Sequence, residues 1–214
     1  MNKLNDVYYL DDTYCIKNAR VFGLEDSVRG AKFPMSVNTD ELTTELTPGI
    51  LKLAISEPGA GHDNWLNGVV VQFDLTFSAK AMIELERYHF LDFVSSTSTM
   101  HRITKFDQEN IYNQYVDRRI VQIMEEKVAA YNTYCEDHKD IKDEMVESTK
   151  RAMYLEILYS NPNGFLYTAR MTTNYRQLKT IYRQRKNHRL PEWREFCRWI
   201  EQLPHSELIT GVVE

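Results

Sequence analysis

The apolar positions of this chain change period several times, and each change marks an element. Val7-Tyr8-Tyr9-Leu10 and Tyr14-Cys15-Ile16 carry β-branched and aromatic residues around Asp11-Asp12, which predicts a small antiparallel pair. Residues 24–32 read as a short helix stopped by Pro34. Residues 48–56 read as a second, running into a glycine-bearing loop that ends at His62. Val69 to Phe77 is an unbroken β-rich run and predicts a central strand. Lys80 to His89 returns to helical spacing, with Met82, Leu85 and either Tyr88 or His89 on comparable faces. The helical bulk falls in 118–135, where Ile120, Ile123, Met124, Val128 and Tyr131 predict the buried stripe, and in 141–159, whose broad apolar face predicts burial. Asn161-Pro162-Asn163-Gly164 is a turn signal before a strand over 165–172.

The stretch from Asn174 to Arg194 organises the rest. Leu178, Ile181 and Tyr182 define a buried helical stripe, and Arg176, Lys179, Arg183 and Lys186 are expected to lie away from it. Thr172 and Thr173 supply hydroxyls for the helix start, while Asn187 and Pro191 predict an end and a restart. Phe196, Cys197, Trp199 and Ile200 then anchor a last helix closed by Pro204.

Composition narrows the function classes. The chain has 214 residues, a formal charge of −5 and 43% hydrophobic content, which permits one sizeable core. The acidic balance argues against a general nucleic-acid binder. Local basicity around Arg176, Arg185 and Arg194 inside an acidic whole predicts a confined anion site, a solvated basic helix face being the plain alternative. Cys15, Cys135 and Cys197 show no paired metal-ligand spacing, so no metal is expected and reduced thiols are. No apolar run reaches membrane-spanning length and residues 1–6 lack the apolar core of a signal peptide, which predicts a soluble cytoplasmic protein.

Two further stretches carry candidate chemistry. Ser95-Ser96-Thr97-Ser98-Thr99, flanked by His101 and Arg102, offers hydroxyls and backbone N–H groups suited to a phosphate or a pyrimidine edge; the alternative is a polar loop with capping residues. His62 lies in a loop before the central strand, where a lone histidine reads most simply as solvated, and its role depends on what the loop approaches.

Asn174-x-Arg176-x-Leu178-x-x-Ile181-x-x-x-Arg185, followed by Glu192-Trp193-Arg194, resembles the C-terminal ligand-binding segment of the flavin-dependent thymidylate synthases. The order of a histidine loop, a strand, a helix, a serine-rich segment and a strand ending in Thr-x-Asn-x-Arg is also similar, and the resemblance is clearest over about 60–200 of a single domain. The family's Arg-His-Arg at the helix end is absent, its place falling on His89-Phe90-Leu91. The resemblance implies an α/β fold, a twisted, mainly antiparallel sheet on a helical bundle, assembled as a homotetramer. It implies reductive methylation of dUMP with FAD, with NADPH and methylenetetrahydrofolate as co-substrates. It assigns Ser98 and Thr99 to catalysis, His62, His89, Asn174 and Arg185 to the cofactor, and Ser95, Ser96, His101, Arg102, Arg176 and Arg194 to the nucleotide. The rival readings are a divergent or non-catalytic pyrimidine-nucleotide-binding protein on the same fold and, third, an RNA-binding or interaction module.

Overall fold

The computed structural model describes residues 7–57 and 59–212. The stretch 1–6 read above for a leader, and Pro58 of the histidine loop, lie outside them. The described chain runs β1 (Val7–Tyr9), β2 (Ile16–Phe22), α1 (Leu24–Gly30), α2 (Pro48–Ala54), β3 (Val70–Ser78), α3 (Ala79–Leu85), β4 (Asp92–Ser96) and α4 (Thr99–Arg102). It continues through α5 (Arg118–Asp137), α6 (Glu144–Ser160), β5 (Leu166–Asn174), α7 (Tyr175–Arg185), α8 (Pro191–Ile200) and α9 (Glu207–Thr210). The strands form one sheet in the order β1-β2-β3-β5-β4, which makes β3 the central strand its apolar run predicted. By contact the chain forms two compact units, one holding the residues through Thr76, Glu84–Ser95 and everything from Ala169 onward, the other Phe77–Ile83 and Ser96–Thr168.

In the first unit β2 lies antiparallel to both neighbours, with Val7 opposite Phe22 and Ile16 opposite Leu75. The register slips by one residue between Lys17 and Arg20, where Asn18 takes a positive φ of 51°. A β-bulge is the consequence, and asparagine is among the few side chains that tolerate this conformation. Polar contacts hold it: Asn18 N–H donates to Asp12 (2.8 Å), its amide donates to Asp74 (2.6 Å), and Arg170 donates to both Asn18 O and Asp74 (each 3.1 Å).

The alternation of β3 places Val71, Phe73 and Leu75 in the core. Phe73 meets Trp199 at 4.8 Å and Phe196 at 5.7 Å between ring centroids, so the apolar face of α8 seals that side of the sheet. Pro191 opens α8 at the first helical position, where its missing N–H costs nothing. Gly23 enters α1 at φ 72°, and a Cβ there would stand 2.7 Å from Gly68 O, so only glycine lets the helix approach the turn at 64–68 this closely.

The second unit packs Val121, Met124 and Val128 of α5 around Ile103, Tyr112, Ile157 and Phe165. Met124 and Val128 of the predicted stripe are buried there and Tyr131 packs against them, whereas Ile120 and Ile123 are 41% and 49% exposed. Ile120 and Val121 are neighbours a hundred degrees apart on the helix, and the partner elements select Val121. On α6 only Ile157 is buried, so its broad apolar face is largely uncovered within the unit. Helix α3 ends at Leu85, four residues short of His89, and the serine run divides: Ser95 and Ser96 close β4, Thr97 and Ser98 link it to α4, and Thr99 begins α4. Thr97 N–H donates to Thr168 O (2.9 Å) and Thr97 Oγ1 accepts from Thr168 N–H (3.2 Å), which draws the run into the sheet.

Candidate functional site

Helix α7 builds the site. Asn174, rather than Thr172 or Thr173, caps it, its side-chain oxygen accepting from Gln177 N–H at 2.8 Å. Tyr175, Leu178 and Ile181 are fully buried and fix which face turns outward. The outward face carries Arg176, Gln177, Thr180, Arg183 and Gln184, at the i, i+4 and i+7 intervals of a single helical surface.

Lys179 departs from the prediction. It is 3% exposed and donates to Ala54 O (2.6 Å), Ser56 O (2.9 Å) and Asp63 Oδ2 (2.8 Å). All three ammonium donors are thereby used, which makes the burial of this charge tolerable. Asp63 also accepts from Arg176 Nε at 3.2 Å. Burial raises the Asp63 carboxyl pKa, but the hydrogen bonds and charges of Lys179 and Arg176 outweigh it and hold the group below its ordinary value. The clamp ties the histidine loop to α7. His62 itself is exposed beside it.

Arg185 is buried as well, stacked over Trp193 at 4.7 Å and Tyr88 at 5.6 Å. Its Nε donates to the Tyr88 hydroxyl (2.7 Å) and its Nη1 to Glu84 (2.9 Å), with His188 Nε2 2.7 Å from the same nitrogen. Burial, followed by the Arg185 charge, lowers the His188 pKa. Arg194 reaches the same corner, donating to His188 O (2.6 Å) and Arg189 O (2.9 Å). Arg185 and Arg194 therefore converge on His188, whereas Arg176 lies along the outward face of α7.

Between that face, the loop at Gly59 to Asn67 and Phe90 runs a cleft of about 460 Å³. A hollow of about 250 Å³, lined by Arg87, His89 and Arg185, shares Phe90, Gln177, Thr180 and Gln184 with it. The volume is within the ~300–1,000 Å³ of small-molecule sites. The cleft presents guanidinium from Arg176 and Arg183, the Asp63–Lys179 ion pair, neutral amides from Gln177 and Gln184, a hydroxyl from Thr180 and the exposed ring of Phe90, and the hollow adds the guanidinium of Arg87. Such a set suits an anion attached to a planar ring.

Of the residues assigned from sequence, Arg176 and His89 line this connected space together with Arg185, and Asn174 stands at its helix as the cap. Ser95 is exposed on β4 in the first unit; Ser96, Ser98, Thr99, His101 and Arg102 belong to the second. There Ser98 Oγ accepts from His101 N–H at 3.2 Å and so caps α4. Sequence reasoning passed over Arg87, Phe90, Gln177, Thr180 and Gln184. The spacing along α7 could have supplied the last three; Arg87 and Phe90 are brought in by a turn after α3 that no local pattern announces.

No protein-family model and no curated protein sequence matches the chain. Solved structures do. A flavin-dependent thymidylate synthase, ThyX, from Helicobacter pylori in complex with FAD and dUMP aligns at a TM-score of 0.64 over 98% of this chain and all of the other, with 13% identity. A second Helicobacter pylori ThyX structure with FAD and dUMP gives 0.65 over 92% and 97%, with 14% identity. This chain has the ThyX fold. At such identity the likeness is one of fold: a mixed α/β architecture with an antiparallel sheet, as the resemblance implied. Among the described residues no helix is long and apolar enough to cross a membrane, and no three His, Cys, Asp or Glu side chains cluster as metal ligands.

Proposed function

We propose that this protein binds a phosphorylated heterocycle, of the nucleotide and flavin class, in the cleft along α7. The observation that carries this is the pairing of the guanidinium groups of Arg87, Arg176 and Arg183 with the exposed ring of Phe90 around one space. Guanidinium donates parallel hydrogen bonds to phosphate oxygens and stays charged at every working pH, while an exposed aromatic face accepts a planar ring. The two ThyX structures of the same fold hold FAD and dUMP, which supports these as the ligands to test first. The donor set fits both. Arg176, Gln177, Thr180 and Arg183 would hold an anionic group, and Phe90 and Gln184 the ring.

In its full form the proposal is reductive methylation of dUMP by a homotetramer in the cytoplasm, with NADPH and methylenetetrahydrofolate as co-substrates. A bound flavin would supply the hydride chemistry, and the protein position and charge. Asn174, His62, His89 and Arg185 are then the cofactor's neighbours, and Arg194 the nucleotide's. Ser95, Ser96, Ser98, Thr99, His101 and Arg102 would serve the site of another subunit. One observation favours a second reading, nucleotide binding without methyl transfer. Ser98 Oγ is engaged as a helix cap and Arg185 is buried against Glu84, so two assigned groups already have structural duties.

The test begins with the visible spectrum of the purified protein and mass analysis of ligand released on denaturation. Released FAD together with turnover of dUMP is the result expected of the full form. Nucleotide binding without flavin selects the second reading. Arg176→Ala is expected to weaken binding by about tenfold or more, the loss of a charge-assisted contact, by calorimetry. Unchanged affinity would remove Arg176 from the site.

A further inference from the structure

We infer that Gln184 determines ligand specificity, because a chain of hydrogen bonds fixes its amide so that only N–H donors face the cleft. The inference rests on the nucleotide reading above. It begins at Arg185, whose guanidinium has donors and no acceptor. Its Nε lies 2.7 Å from the Tyr88 hydroxyl oxygen, so that oxygen must accept. The Tyr88 proton is then directed elsewhere, and the buried hydroxyl reaches Gln184 Oε1 at 3.0 Å. Oε1 therefore accepts, and the remaining amide nitrogen, with its two hydrogens, is left to the cleft.

The direction of this chain cannot easily be reversed. Turning the Gln184 amide over would take Oε1 away from the Tyr88 proton and leave that buried hydroxyl without its acceptor. Arg185 is itself held by Glu84 at 2.9 Å and by the rings of Tyr88 and Trp193, so its Nε does not swing away. Gln184 lines both the cleft and the adjoining hollow, next to Phe90 in each. A neutral donor beside an aromatic wall reads a ring substituent, while the guanidinium groups of Arg176 and Arg183 suit the phosphate. The ligand class selected is a heterocycle carrying an exocyclic carbonyl at this point; an exocyclic amine there would set donor against donor.

The probes are dUMP and dCMP, which differ at C4 in carbonyl against amine. Calorimetry on the full-length protein is expected to show dUMP bound about tenfold tighter, the scale of one directed hydrogen bond. In Gln184→Glu the position offers acceptors only, and the ratio is expected to invert, whatever the added charge does to both affinities. In Tyr88→Phe, which keeps the ring on Trp193, the amide is free to turn over and the ratio is expected to shrink toward one. Equal affinity of the unaltered protein for both probes, or a ratio unmoved in both variants, overturns this inference and leaves the nucleotide reading standing. Binding of neither probe overturns this inference and the nucleotide part of that reading, whose flavin part is decided by the ligand released on denaturation.

Discussion

At the scale of single residues, the Asp63–Lys179 pair shows how a cation that looks solvated in sequence becomes a structural pin. Lys179 follows Leu178 and precedes Ile181, so it stands at the margin of the apolar stripe, and two carbonyls and a carboxylate there satisfy it. Replacing Asp63 by Asn leaves a buried ammonium without its counter-charge, and such losses cost about 3–5 kcal/mol. Urea denaturation is expected to show the midpoint falling with little change of slope. The combined Asp63→Asn, Lys179→Met variant should recover a large part of the loss, because no unpaired charge remains. The same pair sets an acid limb. Since the folded-state Asp63 pKa lies below its ordinary 3.8, the unfolded chain binds more protons between the two values. Its contribution is complete above about pH 4 and is lost as the pH falls through the folded value. Stability curves of wild type and Asp63→Asn should therefore converge at the acid end.

At the scale of elements, the junction of β5 and α7 tests whether Asn174 is a cap, a ligand contact or both. Its side chain closes the helix start through Gln177 N–H, and removal of such a cap costs about 1 kcal/mol. Asn174→Ala is expected to lose that much in denaturation, and Asn174→Asp, which keeps an accepting oxygen, to lose little. If flavin or nucleotide affinity drops in the aspartate variant while stability holds, the residue also touches the ligand. Affinity that merely tracks stability assigns it to the cap. These boundaries also show what was legible beforehand. Apolar periodicity located β3, α2, α7 and α8 as elements, and on α7 it set Leu178 and Ile181 inside while leaving Lys179 on the wrong side. On α5 it placed Met124 and Val128 inside but took Ile120 for Val121, which compete for one stripe so that only the tertiary partners choose. It left 95–99 open between an anion cradle and a polar loop with capping residues, because a run of hydroxyls is compatible with a strand, a turn or a cap. The hydrogen bonds that decide come from Thr168, far along the chain. The candidate site was half visible for the same reason. Arg176 belongs to a strong local pattern, while Arg87 and Phe90 owe their place to a turn.

At the scale of the whole molecule, a net charge of −5 contrasts with a cleft edged by Arg176 and Arg183 and an adjoining hollow edged by Arg87, and this contrast separates the remaining ligand classes. A polyanion needs cations spread over a long track, and the acidic remainder of the surface opposes it at every phosphate beyond the first few. A mononucleotide needs only the local cluster. Its affinity should fall as salt rises, but gently, because the contacts are short compared with a screening length of about 8 Å at physiological ionic strength. Titrations of dUMP and of a single-stranded RNA at low and at high salt are expected to show measurable dUMP binding at both, weakened by no more than about tenfold. The RNA should show negligible binding at either. RNA bound tightly at low salt and released steeply would instead make the outward face of α7 a nucleic-acid surface. The cleft would then be an incidental hollow along that face.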